Sequence, residues 1–283
     1  YQRFLGSDQA GPWVKNRLLQ LGSAIESCHS DALELANACL AEDPKNPQAL
    51  LALGNIAQWK GNHEEAAEYY SRLSSEANQN RNRFNRIHAD LAAGLACEGF
   101  DPAQAITHYE NAASRDKNSV TAYKGIFRLR CQSEEWVGAK RAGERLVRLE
   151  LSPNSKARIW CELSAIYGEH FKDFKAARQG YERALREEED YELALEGLAQ
   201  TFIARGEPAR AITFLTRLLE KARSERRAPR VVELGVRLGL LWENELGDLD
   251  AAIEHYQLVI AIDRRNRAAR LNLADIYLKR SQF

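Results

Sequence analysis

Six histidines and five cysteines are spread through this 283-residue chain, and their spacing decides whether it can act on a small molecule. Hydrolytic, metal-dependent and phosphate-binding sites need residues at fixed offsets, as in HExxH, GxSxG, paired CxxC or a glycine-rich loop. None of these patterns occurs. Cys28 and His29 are neighbours without an orienting third group. His108 and His255 each stand directly before a tyrosine, Tyr109 and Tyr256, which marks them as parts of a repeating pattern. The chain is therefore expected to have no catalytic residues, no metal site and no cofactor. What remains able to do chemistry is recognition. Lys124, Arg128 and Arg158 can grip a carboxylate or an acidic segment through charge-assisted hydrogen bonds, and Trp59 is a candidate anchor for a partner.

These side chains need elements to carry them, and a run of alanines shows what the elements are. Ala32, Ala66, Ala105, Ala139, Ala177, Ala211 and Ala252 each follow a turn-like acidic or glycine-bearing segment. The intervals 32 to 66, 105 to 139 and 177 to 211 are each 34 residues, a period that marks a helical repeat array. Within each unit the apolar residues recur at steps of three and four, as two amphipathic helices require. In the clearest copy Leu50, Leu53, Gly54 and Ala57 form one stripe. The turn Lys60-Gly61-Asn62 follows, and Ala66, Tyr70 and Leu73 form the second stripe, so the pair is an αα-hairpin.

The intervals 66 to 105 and 211 to 252 are longer, at 39 and 41 residues. The extra residues are expected around 79–85 and 223–230, as longer loops or extended helices. Longer turns are expected at 169–173 and 243–248.

Composition narrows the partner class. Lys plus Arg and Asp plus Glu each total 40, so net charge gives no general attraction to nucleic acid or to an anionic membrane. No apolar run is long enough to span a bilayer. An odd number of cysteines without a framework suggests reduced thiols and a cytoplasmic setting. The chain starts at Tyr1 rather than Met, so an upstream leader is not visible, and a repeat-like last helix suggests a piece of a longer protein. Oligomeric state is not set by the pattern.

The hairpins resemble the tetratricopeptide repeat. That pattern places a large residue, Leu, a small residue and an aromatic on the first helix, then Ala, an aromatic and Ala or Leu on the second. Here the second unit carries Leu50, Gly54, Ala66 and Tyr70, the third Ala93, Ala105, Tyr109 and Ala112, and the fourth Tyr123, Ala139 and Leu146. The fifth carries Trp160, Leu163, Tyr167, Ala177 and Tyr181, the sixth Leu195, Leu198, Phe202, Ala211 and Leu215, and the seventh Leu238, Gly239, Trp242, Ala252 and Tyr256. The resemblance implies an all-α right-handed α-solenoid, a superhelix of about seven helix-turn-helix repeats plus a terminal helix. One repeat domain over 1–283 is expected, with repeats near 13–46, 47–85, 86–119, 120–156, 157–191, 192–231 and 232–265 and a half repeat at 266–283.

The resemblance also implies a function: a protein-interaction scaffold or adaptor, with a peptide or partner protein in a concave groove lined by the first helices. By register that groove would present Leu51, Asn55, Gln58 and Trp59, then Asp90, Cys97 and Glu98, then Lys124, Arg128, Cys131 and Gln132. It would continue through Arg158, Cys161 and Glu169, then Glu196 and Gln200, then Glu233, Leu240 and Asn244. Leu51, Asn55, Trp59, Lys124, Arg128, Arg158, Glu196 and Gln200 are the candidate binding residues, and the basic middle favours an acidic partner. Trp160 and Trp242 fall on packing positions, whereas Trp59 does not. The carboxylate clamp of chaperone-binding relatives is absent, since Leu51 and Leu91 stand where its Lys and second Asn belong.

Two other readings compete. The array can be a spacer or self-assembly element that stacks through 266–283. Arginine clusters at Arg81, Arg83 and Arg86, at Arg223, Arg226, Arg227 and Arg230, and at Arg264, Arg265, Arg267 and Arg270 can form a basic edge for RNA. No aromatics interleave them as single-strand readers require, so nucleic acid is disfavoured.

Overall fold

The computed structural model describes residues 12–76 and 83–281. Among them every regular element is helical. The chain divides into two compact units, residues 1–149 and 150–283.

The first unit holds α1 (Pro12–Ala24), a 3₁₀ turn (Glu26–Cys28), α2 (His29–Glu42), α3 (Pro47–Trp59), α4 (His63–Glu76), α5 (Arg83–Cys97), α6 (Pro102–Arg115), α7 (Val120–Gln132) and α8 (Trp136–Leu149). The second holds α9 (Pro153–Glu169), α10 (Phe174–Glu187), α11 (Glu192–Ala204), α12 (Pro208–Ser224), α13 (Ala228–Leu241), a π-helical turn (Trp242–Leu246), α14 (Leu249–Ile262) and α15 (Arg267–Ser281). Odd-numbered helices are the first helices of hairpins and even-numbered ones the second. Within each unit every helix packs on its neighbours in sequence, and first helices of successive hairpins also touch, as α1 with α3, α5 with α7 and α9 with α11.

The sequence punctuates these helices. Asn46, Asp101, Ser119, Ser152, Asp173, Asp248 and Asn266 each accept a backbone N–H of the following first turn, which satisfies donors a helix start leaves open. Proline at the start of α3, α6 and α9 adds a preset φ where no N–H is missed. Asp43, Asp116 and Asp263 end their helices and accept the N–H two residues on, at 3.0 Å each. A four-residue Asp-to-Asn or Asp-to-Ser link between hairpins is the result.

All seven period-setting alanines are completely buried. The tyrosine four residues after such an alanine lies across a glycine of a first helix. A Cβ on Gly54 or Gly125 would stand 2.5 Å from the ring of Tyr70 or Tyr109, so only glycine lets helix and ring approach this closely. In the second unit Leu195, Leu198, Phe202, Leu215, Leu218, Leu234 and Leu238 build the main core, with Trp160 and Trp242 packed against it in part.

Arginines join one hairpin to the next. Arg72 donates to the Pro44 carbonyl at 3.3 Å, Arg145 to that of Lys117 at 2.9 Å and Arg217 to that of Glu189 at 3.1 Å, each across 28 residues. The accepting carbonyl lies just past the end of the preceding second helix, where the helix provides no donor.

The longer spacings are helical more than loop-like. The 79–85 segment lies largely outside the described residues. In the second unit α9 and α12 run for 17 residues each, and 242–246 winds as π-helix rather than as turn. Gly247, at φ +69, ends it, with its N–H and that of Asp248 both on the Trp242 carbonyl. Added length is thus wound into helix because that keeps the backbone groups paired.

Candidate functional site

The tyrosines that fill the repeat core also order the first-helix face. Their rings are buried, but their hydroxyls reach polar groups on or just past the first helices: Tyr70 donates to Asn55 Oδ1 at 2.9 Å, Tyr109 to Glu98 Oε1 at 2.6 Å and Tyr256 to Glu243 Oε2 at 2.9 Å. Asn272 of α15 donates to the Tyr256 oxygen at 3.1 Å. Burial pushes the Tyr70 phenol up to about 12, so it remains a donor at neutral pH.

In the first unit Leu51, Asn55 and Trp59 follow one another at four-residue steps along α3 and share a face. Leu51 is half-buried against the Leu50, Leu73 and Ala89 cluster. Trp59 is 55% exposed, with one edge at the ring of buried His29, 4.7 Å between centroids at 75°. On α7, Lys124 and Arg128 lie one turn apart and exposed. Arg128 reaches back to Glu98, just past the end of α5. Burial works against the Glu98 charge, but hydrogen bonds from Arg128 and Tyr109 prevail and hold its carboxyl below the usual range.

Three residues expected on this face are inside. Cys97 and Cys161 are buried, and burial raises their thiols to about 11 and about 12. Asp90, 1% exposed, sits four residues before Gly94, the place that Leu50 holds before Gly54. Ser74 donates to it at 2.5 Å, Arg115 pairs with it, and His108 Nδ1 lies 3.8 Å away. It is a junction residue rather than a surface one.

In the second unit Arg158 is exposed and faces Glu162 one turn on, at 3.8 Å. Glu196 is not a bare acid: Arg230 and Arg237 of α13 both donate to it. Burial would raise its pKa, yet those two arginines lower it. Glu196 and Arg230 are 34 residues apart, one period, and that spacing is the sequence signal for the pair. Gln200, one turn further, is exposed at the edge of a cleft of about 240 Å³ lined also by Glu169, Phe174 and Tyr181.

The arginine edge is partly spent. Arg227 pairs with Glu192 and Glu225, and Arg230 with Glu196 and Glu233. Among the described residues no group of three His, Cys, Asp or Glu could hold a metal ion, and no helix is long and apolar enough to cross a membrane.

Serial helical hairpins sealed by alanine and tyrosine define an all-α protein of the α-solenoid class. Residues 29–91 in the first unit and 170–231 in the second match the tetratricopeptide repeat family model. No curated protein matches by sequence. Among solved structures, the C-terminal part of a TPR repeat-containing protein from Cytophaga hutchinsonii is similar with TM-score 0.66 and 16% identity, over 92% of this chain and 98% of that one. MamA is similar with TM-score 0.54 and 18% identity, over 65% and 96%. YrrB, described as a TPR protein with an unusual peptide-binding site, is similar with TM-score 0.52 and 18% identity, over 73% and 98%.

Proposed function

We propose that this chain is a protein-interaction scaffold whose first-helix faces receive a peptide or a segment of a partner protein. One observation carries the reading: the core is closed by alanine, leucine and tyrosine, yet α3 still exposes Trp59 beside Asn55. Large aromatics left in water beside ordered polar groups are what interaction hot spots use. The exposed Lys124 and Arg128 favour a partner segment with carboxylates there, and Arg158, Glu196 and Gln200 offer a mixed polar face in the second unit. Repeat arrays present extended surfaces of this kind, and the peptide-binding description of the similar YrrB fits the same use.

The test is affinity capture from lysate of the source cells, with Trp59→Ala, Arg128→Glu and Arg158→Glu variants beside the wild type and mass spectrometry as the readout. A protein retained by wild type and lost with Trp59→Ala or Arg128→Glu supports the first-unit face; loss with Arg158→Glu assigns the second. The same set retained by all four overturns the proposal.

A further inference from the structure

A cleft of about 410 Å³ opens between α6, α7 and α8, wholly within the first unit. Its floor is apolar, with Ile126 and Ala142 buried and Tyr123 half-buried. Around it stand four cations, Lys117, Arg130, Arg141 and Arg145, against one carboxylate, Glu110. On α7 the cleft-lining Tyr123, Ile126 and Arg130 are turned well away from Lys124 and Arg128, by about 150° at 3.6 residues per turn. The cleft is thus separate from the first-helix face.

Two of the cations are fixed in place. Arg130 pairs with Glu110 and passes over Gly138, where a Cβ would meet its Cδ at 2.6 Å. Arg145 is held by the Lys117 carbonyl and by Asn118 Oδ1 at 3.3 Å. Lys117 and Arg141 are exposed, and neither has an ion pair among the described residues.

The repeat itself does not require this charge. Two residues after the period-setting alanine, where this hairpin has Arg141, the others have Glu34, Glu68, Thr107, Gln179, Thr213 and Glu254. At the place of Lys117 the other arginine-joined hairpins have Pro44 and Glu189. At the place of Arg130, hairpins with the same turn length have Ala57 and Phe202.

We propose that this cleft is a second docking site, which takes an acidic peptide segment bearing one large apolar side chain. The apolar side chain would lie on Tyr123, Ile126 and Ala142, and the flanking carboxylates would meet Lys117 and Arg141, with Arg130 and Arg145 held behind them. Charge complementarity selects the acidic partner, and the apolar floor selects against a purely ionic one. The proposal is independent of the first-helix reading.

The test uses the full chain and a short fluorescein-labelled peptide in which one leucine is flanked on both sides by aspartate and glutamate, followed by anisotropy. Saturable binding is expected, weakened about tenfold or more by Lys117→Glu with Arg141→Glu. Lys175→Glu with Arg186→Glu, exposed on α10 and outside both proposed sites, should leave it unchanged. Replacing the peptide's leucine by glycine should also weaken it. Both substituted pairs are exposed, and circular dichroism melts verify that the fold is retained. No saturable binding, or equal loss in the two double variants, overturns the site. An oligouridylate that binds more tightly than the peptide and is lost with Lys117→Glu and Arg141→Glu overturns the choice of partner.

Discussion

The Asp90 junction in the first unit and the Glu196 junction in the second solve one problem, holding a repeat to its neighbour, with the acid in opposite places. Asp90 occupies a core position, and Ser74 of α4 and Arg115 of α6 close on it from both sides. Glu196 stays at the surface of α11 and gathers Arg230 and Arg237 from α13. A buried carboxylate that keeps its partners orders the interface, but it makes each partner indispensable. A surface cluster such as that between α11 and α13 acts through water-screened charges and contributes little singly. The repeat fold therefore tolerates an acid at its packing position only where two neighbouring helices supply the donors.

The sharpest way to break this comparison is Asp90→Ala. It removes the buried carboxylate on which Ser74 and Arg115 close, and a loss of about 3 kcal/mol is expected in urea unfolding, the lower end for breaking a buried pair. Restoring an apolar pair with Asp90→Leu and Arg115→Leu should return stability to within about 1 kcal/mol of wild type. If Glu196→Ala costs as much as Asp90→Ala, the contrast between the two junctions fails. A smaller effect belongs to Gly125→Ala, whose Cβ would collide with the Tyr109 ring. About 1–3 kcal/mol should be lost, and Tyr109→Leu in the same chain should recover part of it, read as the thermal midpoint.

The smallest effect is acid dependence at Glu196. Its folded pKa is depressed, so its contribution is full above the unfolded carboxylate value of about 4.3 and is lost as pH falls through the lower folded value. Glu196→Gln should flatten the fall in unfolding free energy between about pH 5 and 3 by less than about 1 kcal/mol. A wild type and variant that lose stability in parallel over that window would show that the arginine pair contributes nothing.

Most of the fold is legible in the chain because the repeat is local: the alanines, the stripes and the capping residues fall where the helices need them. Leu51, Asn55, Trp59, Lys124, Arg128, Arg158 and Gln200 could be placed on first helices by register alone. What register cannot give is whether a neighbour has claimed a side chain. Asp90 and Cys97 fall on the first helix α5 by the same register, yet packing from α4 and α6 puts them inside. Glu196 is acidic in sequence, but two arginines from the next hairpin offset it. The expected turn after Glu169 is present at 170–173, whereas at 243–248 the backbone continues as π-helix to Leu246 before Gly247 ends it.

The arginines that bond back across 28 residues give the array a direction. In every case the donor belongs to the later hairpin and the acceptor to the earlier one. A ribosome releases the earlier hairpin first, and its open end stays unsealed until the following second helix emerges. At these three joints the carbonyl past the earlier hairpin is therefore capped only once the second helix of the later hairpin is in place.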